Sequence, residues 1–181
     1  MTTPAAAAQS ADTPDFAIAF TGMIVQNLSR EMEATRKVLA AVPETGRDYR
    51  PDPKSRTAFE LAWHLASADV QFLDDIADRK FTMEPRFKEE PKTTAELADW
   101  YAKEFSRGLA RVQAMTADQL LTPVDFYGVM TAPVFRFLLF ANNHSIHHRG
   151  QLAAYLRPMG SKVPSIYGGS ADEPWPGQTA A

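Results

Sequence analysis

The sequence predicts an all-α protein, a four-helix bundle with long connections. Three observations carry that expectation. Four segments repeat apolar residues at three- and four-residue spacing, two of them open on a Thr-x-x-Glu capping box, and clusters of Pro and Gly separate them. With 181 residues, 45% hydrophobic and 23% charged, the chain suits one domain of ordinary globular composition.

Residues 1–15, rich in Ala, Thr, Ser and Pro, are expected to form a flexible N-terminal arm. The bundle then occupies 16–160, and 161–181 is expected as a C-terminal loop and tail. Phe16, Phe20, Met23, Ile24, Leu28, Met32, Val38, Leu39 and Val42 keep one apolar stripe until Pro43 stops it. Gly46, Pro51 and Pro53 punctuate the next stretch too heavily for helix. A second helix opens at Thr57-Ala-Phe-Glu60 and runs to about Arg79, burying Phe59, Trp63, Ala66, Val70, Leu73 and Ala77. Pro85 and Pro91 bracket another loop. Thr93-Thr-Ala-Glu96 opens a third helix, whose Leu97, Tyr101, Phe105, Leu109 and Val112 share a face to about Met115. A connection carrying Pro123 and Gly128, with room for a short extended piece, precedes the last helix. That helix is expected behind Thr131, with Pro133 in its first turn, and ends near Arg157-Pro158-Met159-Gly160. Two of the three connections are moderately long, which leaves up-down-down-up and simple up-and-down arrangements both open.

Charge and composition exclude several function classes. The formal net charge is −3, from 19 basic and 22 acidic residues mixed in sign, so the basic excess of a nucleic-acid binder is missing. The longest apolar run in the C-terminal half is Phe137–Ala141, far short of the ~18–20 residues a membrane span requires. The opening MTTPAAAAQSADTPD has neither a basic n-region nor an apolar h-region, and a cytoplasmic location is the expectation. The chain has no cysteine. Thiolate nucleophiles and cysteine-based metal sites are therefore excluded, and a bound metal has to use His, Asp, Glu or backbone oxygen.

Histidine placement is the informative feature. The four histidines are His64 on the second helix and His144, His147 and His148 on the last. Residues four apart on a helix share a side, so His144 and His148 can each give one nitrogen to a single ion. They fall on the stripe Phe137, Ala141, His144, His148, Leu152 and Tyr155, whereas His147 belongs with Phe140, Asn143, Gln151 and Ala154. Two readings of His64, His144 and His148 stand at this point: a divalent-metal site, or imidazoles satisfied by ordinary polar neighbours. Glu60 and Asp75 are competing ligands, with Glu60 better explained by its capping box. Arg149 and Gln151 are read as solvated surface or as the rim of a site. Trp100, off the third helix's stripe, marks either a homodimer face or packing against a loop.

The segment Asn143-His-Ser-Ile-His-His-Arg-Gly-Gln-Leu152, with Ala-Ala-Tyr-Leu-Arg and Met159-Gly-Ser-Lys-Val-Pro-Ser-Ile-Tyr-Gly168 after it, resembles the closing helix and tail of the DinB-like (DinB/YfiT) bundle family. Leu61-Ala-Trp-His-Leu-Ala66 resembles its second helix. The resemblance covers roughly residues 16–170. It implies a three-histidine divalent-metal site at His64, His144 and His148. It also implies relatives that include transferases and isomerases using bacillithiol or mycothiol, and proteins described as metal-dependent hydrolases. Imidazole ligands suit zinc, nickel, iron or copper, and the expected divalent ion is zinc, nickel, iron or manganese. The expected partner is a small-molecule substrate together with a low-molecular-weight thiol, in a pocket between the second and last helices lined partly by Phe72, Phe137, Tyr155 and the preceding connection. A metal-binding stress protein without turnover is the alternative. Imidazoles of ordinary pKa ~6.5 would stop serving as ligands below about pH 6.

Overall fold

Helix starts are set by side-chain caps. In the computed structural model, which describes residues 12–177, Thr13 caps α1 (Pro14–Ala40) by accepting from Phe16 N at 3.2 Å. Residues 1–11 of the expected arm and the last four of the tail lie outside the described residues. Both predicted capping boxes form, Thr57 with Glu60 before α2 (Ala58–Asp78) and Thr93 with Glu96 before α3 (Thr94–Gln113). Arg79 ends α2 in the left-handed region, at φ 56°.

Two features differ from the sequence expectation. A single helical turn, α4 (Ala117–Leu120), carries its own capping box at Thr116 and Gln119. The last helix, α5 (Phe137–Leu156), starts later than expected, because β1 (Pro123–Phe126) and β2 (Met130–Pro133) form a hairpin that takes in Thr131 and Pro133. A two-stranded ribbon has only edge strands, so Pro123 and Pro133 remove no interior ladder bond. One 3₁₀ turn, Val134–Arg136, then leads into α5.

Pairwise contacts settle the topology left open by the connections. Along α1 and α5, Phe20 meets Phe135, Asn27 meets Asn142 and Glu31 meets Arg149, so these helices are parallel. Along α2 and α3, Trp63 meets Trp100, Asp69 meets Tyr101 and Asp78 meets Arg111, so these are parallel too. Between α2 and α5 the order reverses, with Phe72 on Phe140, Asp69 on His144 and His64 on His148. The bundle is up-down-down-up, with α1 and α2 each packed between α3 and α5. A parallel α2–α3 pair obliges residues 79–93 to return along a helix roughly 30 Å long, well within the ~50 Å reach of such a segment.

The core follows the predicted stripes, including Ile24, Leu28, Val38, Leu39 and Val42 of the first, but the N-terminal half of α1 departs from its stripe. Phe16 and Met23 are 44% and 58% exposed, while Thr21, Glu31 and Thr35 are buried. α2 is buried on most of its circumference, including Leu61, Ala62, Leu65, Asp69 and Ile76. Trp100 packs between Trp63 and Phe87, both with ring centroids 5.0 Å away, so its contact is with a loop and a neighbouring helix.

Gly108 on α3 faces Leu73 on α2, and a Cβ there would lie 2.9 Å from Leu73 Cβ. Gly22 on α1 has nothing within 4 Å of the same point. Gly22→Ala should therefore stabilise by about 0.4–1 kcal/mol through helix propensity and chain entropy. Gly108→Ala should lose that gain and destabilise, because the helices have to separate. Urea denaturation midpoints separate the two, and equal stabilisation would contradict this packing.

Candidate metal centre

The antiparallel run of α2 against α5 places His64 opposite His148, with His144 one turn back along α5. One nitrogen from each of these three rings lies within 4.8 Å of the others. The Nε2 atoms of His64 and His148 are 3.3 Å apart. Two imidazole nitrogens about 2.0–2.1 Å from one tetrahedral ion would lie roughly 3.3 Å apart, so this spacing fits a shared cation.

The outward nitrogens of His144 and His148 have acceptors. His144 Nδ1 stands 3.0 Å from Asp69 Oδ1, and His148 Nδ1 stands 3.2 Å from Gln151 Oε1. Each acceptor calls for a proton on Nδ1, which leaves Nε2 of both rings with a lone pair facing the site. Without a cation, only a proton on His64 Nε2 relieves the close approach to His148. The donor set therefore fits a divalent ion.

Electrostatics favour neutral, ligand-competent rings. His64 is lowered to about 4 by burial first, then by the charge of Arg56 and the two neighbouring histidines. His148 is lowered to about 4, again chiefly by burial, then by His144. Protonation of His64 and His148 is therefore shifted below the pH 6 expected of free imidazoles. Asp69 is fully enclosed, and burial pushes its carboxyl up while His144, Ser145 and Tyr101 hold it down by hydrogen bonding. Tyr101 Oη donates to Asp69 Oδ2 at 3.2 Å.

From Asp69 a polar chain crosses the bundle. Ser145 Oγ lies 3.4 Å from Thr35 Oγ1, which accepts from Arg149 Nη1 at 3.2 Å. Arg149 pairs with Glu31 at 2.5 Å and donates to the Tyr167 hydroxyl, which itself donates to Glu31 at 2.8 Å. Arg149 is thus neither solvated nor at the rim of the site; it is 1% exposed, and Glu31 on α1 explains how the charge is tolerated. His147 is exposed and stands outside the cluster, as its stripe predicts. Glu60 serves its capping box, and Asp75 is taken up by Arg86 at 2.6 Å.

A cavity of about 490 Å³ opens directly on His64, His144 and His148. The returning segment supplies Thr82, Met83 and Pro85, the hairpin supplies Phe126 and Tyr127, and Phe72 and Phe140 come from the helices. The expected Phe72 and preceding connection are there. Phe137 and Tyr155 are not: Phe137 is buried behind Phe126 and Phe81, and Tyr155 packs edge-on against Tyr49. Tyr127 holds φ 56° at the hairpin turn beside Gly128, and its hydroxyl donates to Thr82 O at 3.2 Å across the cavity mouth.

The sequence model described as the DinB family matches residues 17–178. The chain belongs to the DinB family. It is 26% identical to the uncharacterized protein YrdA of Bacillus subtilis over 144 residues, covering 79% of this chain and 85% of that one. It matches the uncharacterized protein YjoA of the same organism at 26% over 140 residues, 76% of this chain and 89% of YjoA. The crystal structure of the DinB-like protein YjoA superposes with a TM-score of 0.67 at 25% identity, over 80% of this chain and 97% of that one. A DinB-like protein from Bacillus cereus gives 0.68 at 30% identity, over 80% and 95%. The bundle described above is thus the DinB-like fold.

Sequence reasoning missed Asp69. The signal was available: Ala62, Leu65, Ala66, Asp69, Val70 and Leu73 repeat at core spacing, and a lone carboxylate on such a face implies a buried partner.

Histidines lowered to about 4 when folded but ~6.5 when unfolded bind fewer protons in the folded state between those values. Stability tied to them is complete above pH ~6.5 and is lost as pH falls toward 4. In chelator, melting temperature should drop between pH 7 and 5, and drop less in His64→Gln/His148→Gln. Parallel curves would contradict the assigned burial.

Proposed function

We propose that this DinB-family chain is a divalent-metal-dependent enzyme acting on small molecules, of the thiol S-transferase type. His64, His144 and His148 are the ligands, and the convergence of their nitrogens on an apolar cavity is the observation that carries the reading. The ion, of zinc, nickel, iron or manganese character, would supply an open position that favours a bound thiolate.

The protein's own residues do the rest. Asp69 fixes the His144 ring and its tautomer, and Gln151 does the same for His148. Phe72, Phe126 and Phe140 pack within 5.1–6.3 Å of one another and exclude water from one side of the triad. With no cysteine in the chain, the thiol comes from outside. In the transfer, a carbon–sulfur bond forms as the carbon–halogen bond of an electrophile breaks. The halide leaves with the bonding pair, and the thiol proton goes to water. The cavity's access to all three histidines favours this reading over an ion that only ties α2 to α5.

Elemental analysis and calorimetry should find one divalent ion per chain. His144→Ala with His148→Ala should abolish binding, and His147→Ala should leave it nearly intact. Asp69→Asn should weaken it by about 10–100-fold. Unchanged binding in the double variant would refute the ligand assignment. The metal-loaded protein, screened with bacillithiol, mycothiol and glutathione against a haloarene, should show thiol-dependent turnover that His148→Ala removes. Ester or amide hydrolysis without thiol would instead support a metal-activated water. Absence of both would support a non-catalytic metal protein.

A further inference from the structure

His64, Ser67 and Pro85 line two cavities at once. One is the apolar cavity over the triad. The other, about 550 Å³, lies toward the N-terminal end of α2 and has different chemistry, with Arg50, Lys54 and Arg56 around it. Two acids share it, Glu60 and Glu90. Glu60 is already engaged, accepting from Thr57 N at 2.7 Å and lying 4.0 Å from Arg50. Lys54 and Arg56 are exposed, and neither forms an ion pair within 4.0 Å among the described residues, although the charge of Arg56 also bears on Glu60. The cavity therefore keeps a positive excess over Glu90.

Arg56 is not a remote charge. Its field bears on both His64 and His148. A cation whose field reaches ligands for a divalent cation opposes metal binding unless an anion lies between them. Taking the thiol-dependent reading above as its basis, we infer that this second cavity binds the carboxylate end of the thiol co-substrate. Arg56 and Lys54 are the recognising cations, and the apolar cavity across His64 is left for the electrophile. The arrangement selects thiols that carry free carboxylates, such as bacillithiol and glutathione. Mycothiol, whose cysteine carboxyl is tied up in an amide, lacks the anion.

The test uses S-methylated thiols, which keep the carboxylates but cannot ligate a metal as thiolates. Calorimetry on the full chain, with and without zinc, should show S-methylglutathione and S-methylbacillithiol binding and weakening with salt. Arg56→Gln with Lys54→Gln should raise both dissociation constants about tenfold or more, the loss expected for removed charge-assisted hydrogen bonds. Both residues are exposed, so the variant should keep its fold. Phe72→Ala should leave these constants unchanged and instead weaken a neutral apolar fluorophore, N-phenyl-1-naphthylamine. Absence of binding by both S-methylated thiols would overturn the inference. So would equal affinity in the double variant, or equally tight binding of S-methylmycothiol. The same titrations in His148→Ala read the anion site even where the metal reading fails, so the two failures are distinguishable.

Discussion

Imidazoles placed at the junction of α2 and α5 need a partner at both ring nitrogens, and much of the surrounding structure answers that need. Burial removes the solvent that would otherwise satisfy them and holds His64 and His148 in the neutral form. Asp69 then has to be buried to reach His144, and a buried carboxylate requires its own donors. Tyr101 from α3 and Ser145 from α5 provide them. Thr35 links this group to Arg149, whose charge is matched by Glu31 and closed off by Tyr167 from the tail. Such a network is favourable only when every member is satisfied, and here it ties α1, α2, α3, α5 and the tail to one constellation.

Topology shapes the cavity as directly as the helices do. Because α2 and α3 are parallel, the chain has to travel back along the bundle after α2, and it does so over the histidines. Arg86 anchors this return to Asp75 and Asp78 at 2.6 and 2.8 Å. The hairpin before α5 meets it from the other side, where Tyr127 bridges to Thr82. The connections that an up-down-down-up bundle requires thus become the walls of its cavity.

Much of the architecture was legible in the sequence, because caps and apolar spacing act locally. Thr57, Thr93 and the stripe on α3 determine their own neighbourhoods. The pair His144 and His148 was legible for the same reason, being one turn apart on one helix. What could not be read depends on distant partners. Arg149 looks like a surface cation until Glu31, far away in sequence, is placed beside it. Thr131 and Pro133 resemble a helix start until their pairing with Asp125 and Pro123 is known. Phe16 and Met23 share the apolar spacing of α1, yet they lie outside the face that α3 and α5 cover.

If three imidazoles from two antiparallel helices form one metal-binding unit, the ion they hold reports it. X-ray absorption on the zinc-loaded protein addresses it most directly. The spectrum should show three imidazole nitrogens at about 2.0–2.1 Å, with the remaining ligands being oxygen or an added thiol's sulfur. A spectrum with one imidazole or none, or one unaltered by His64→Ala, would contradict it.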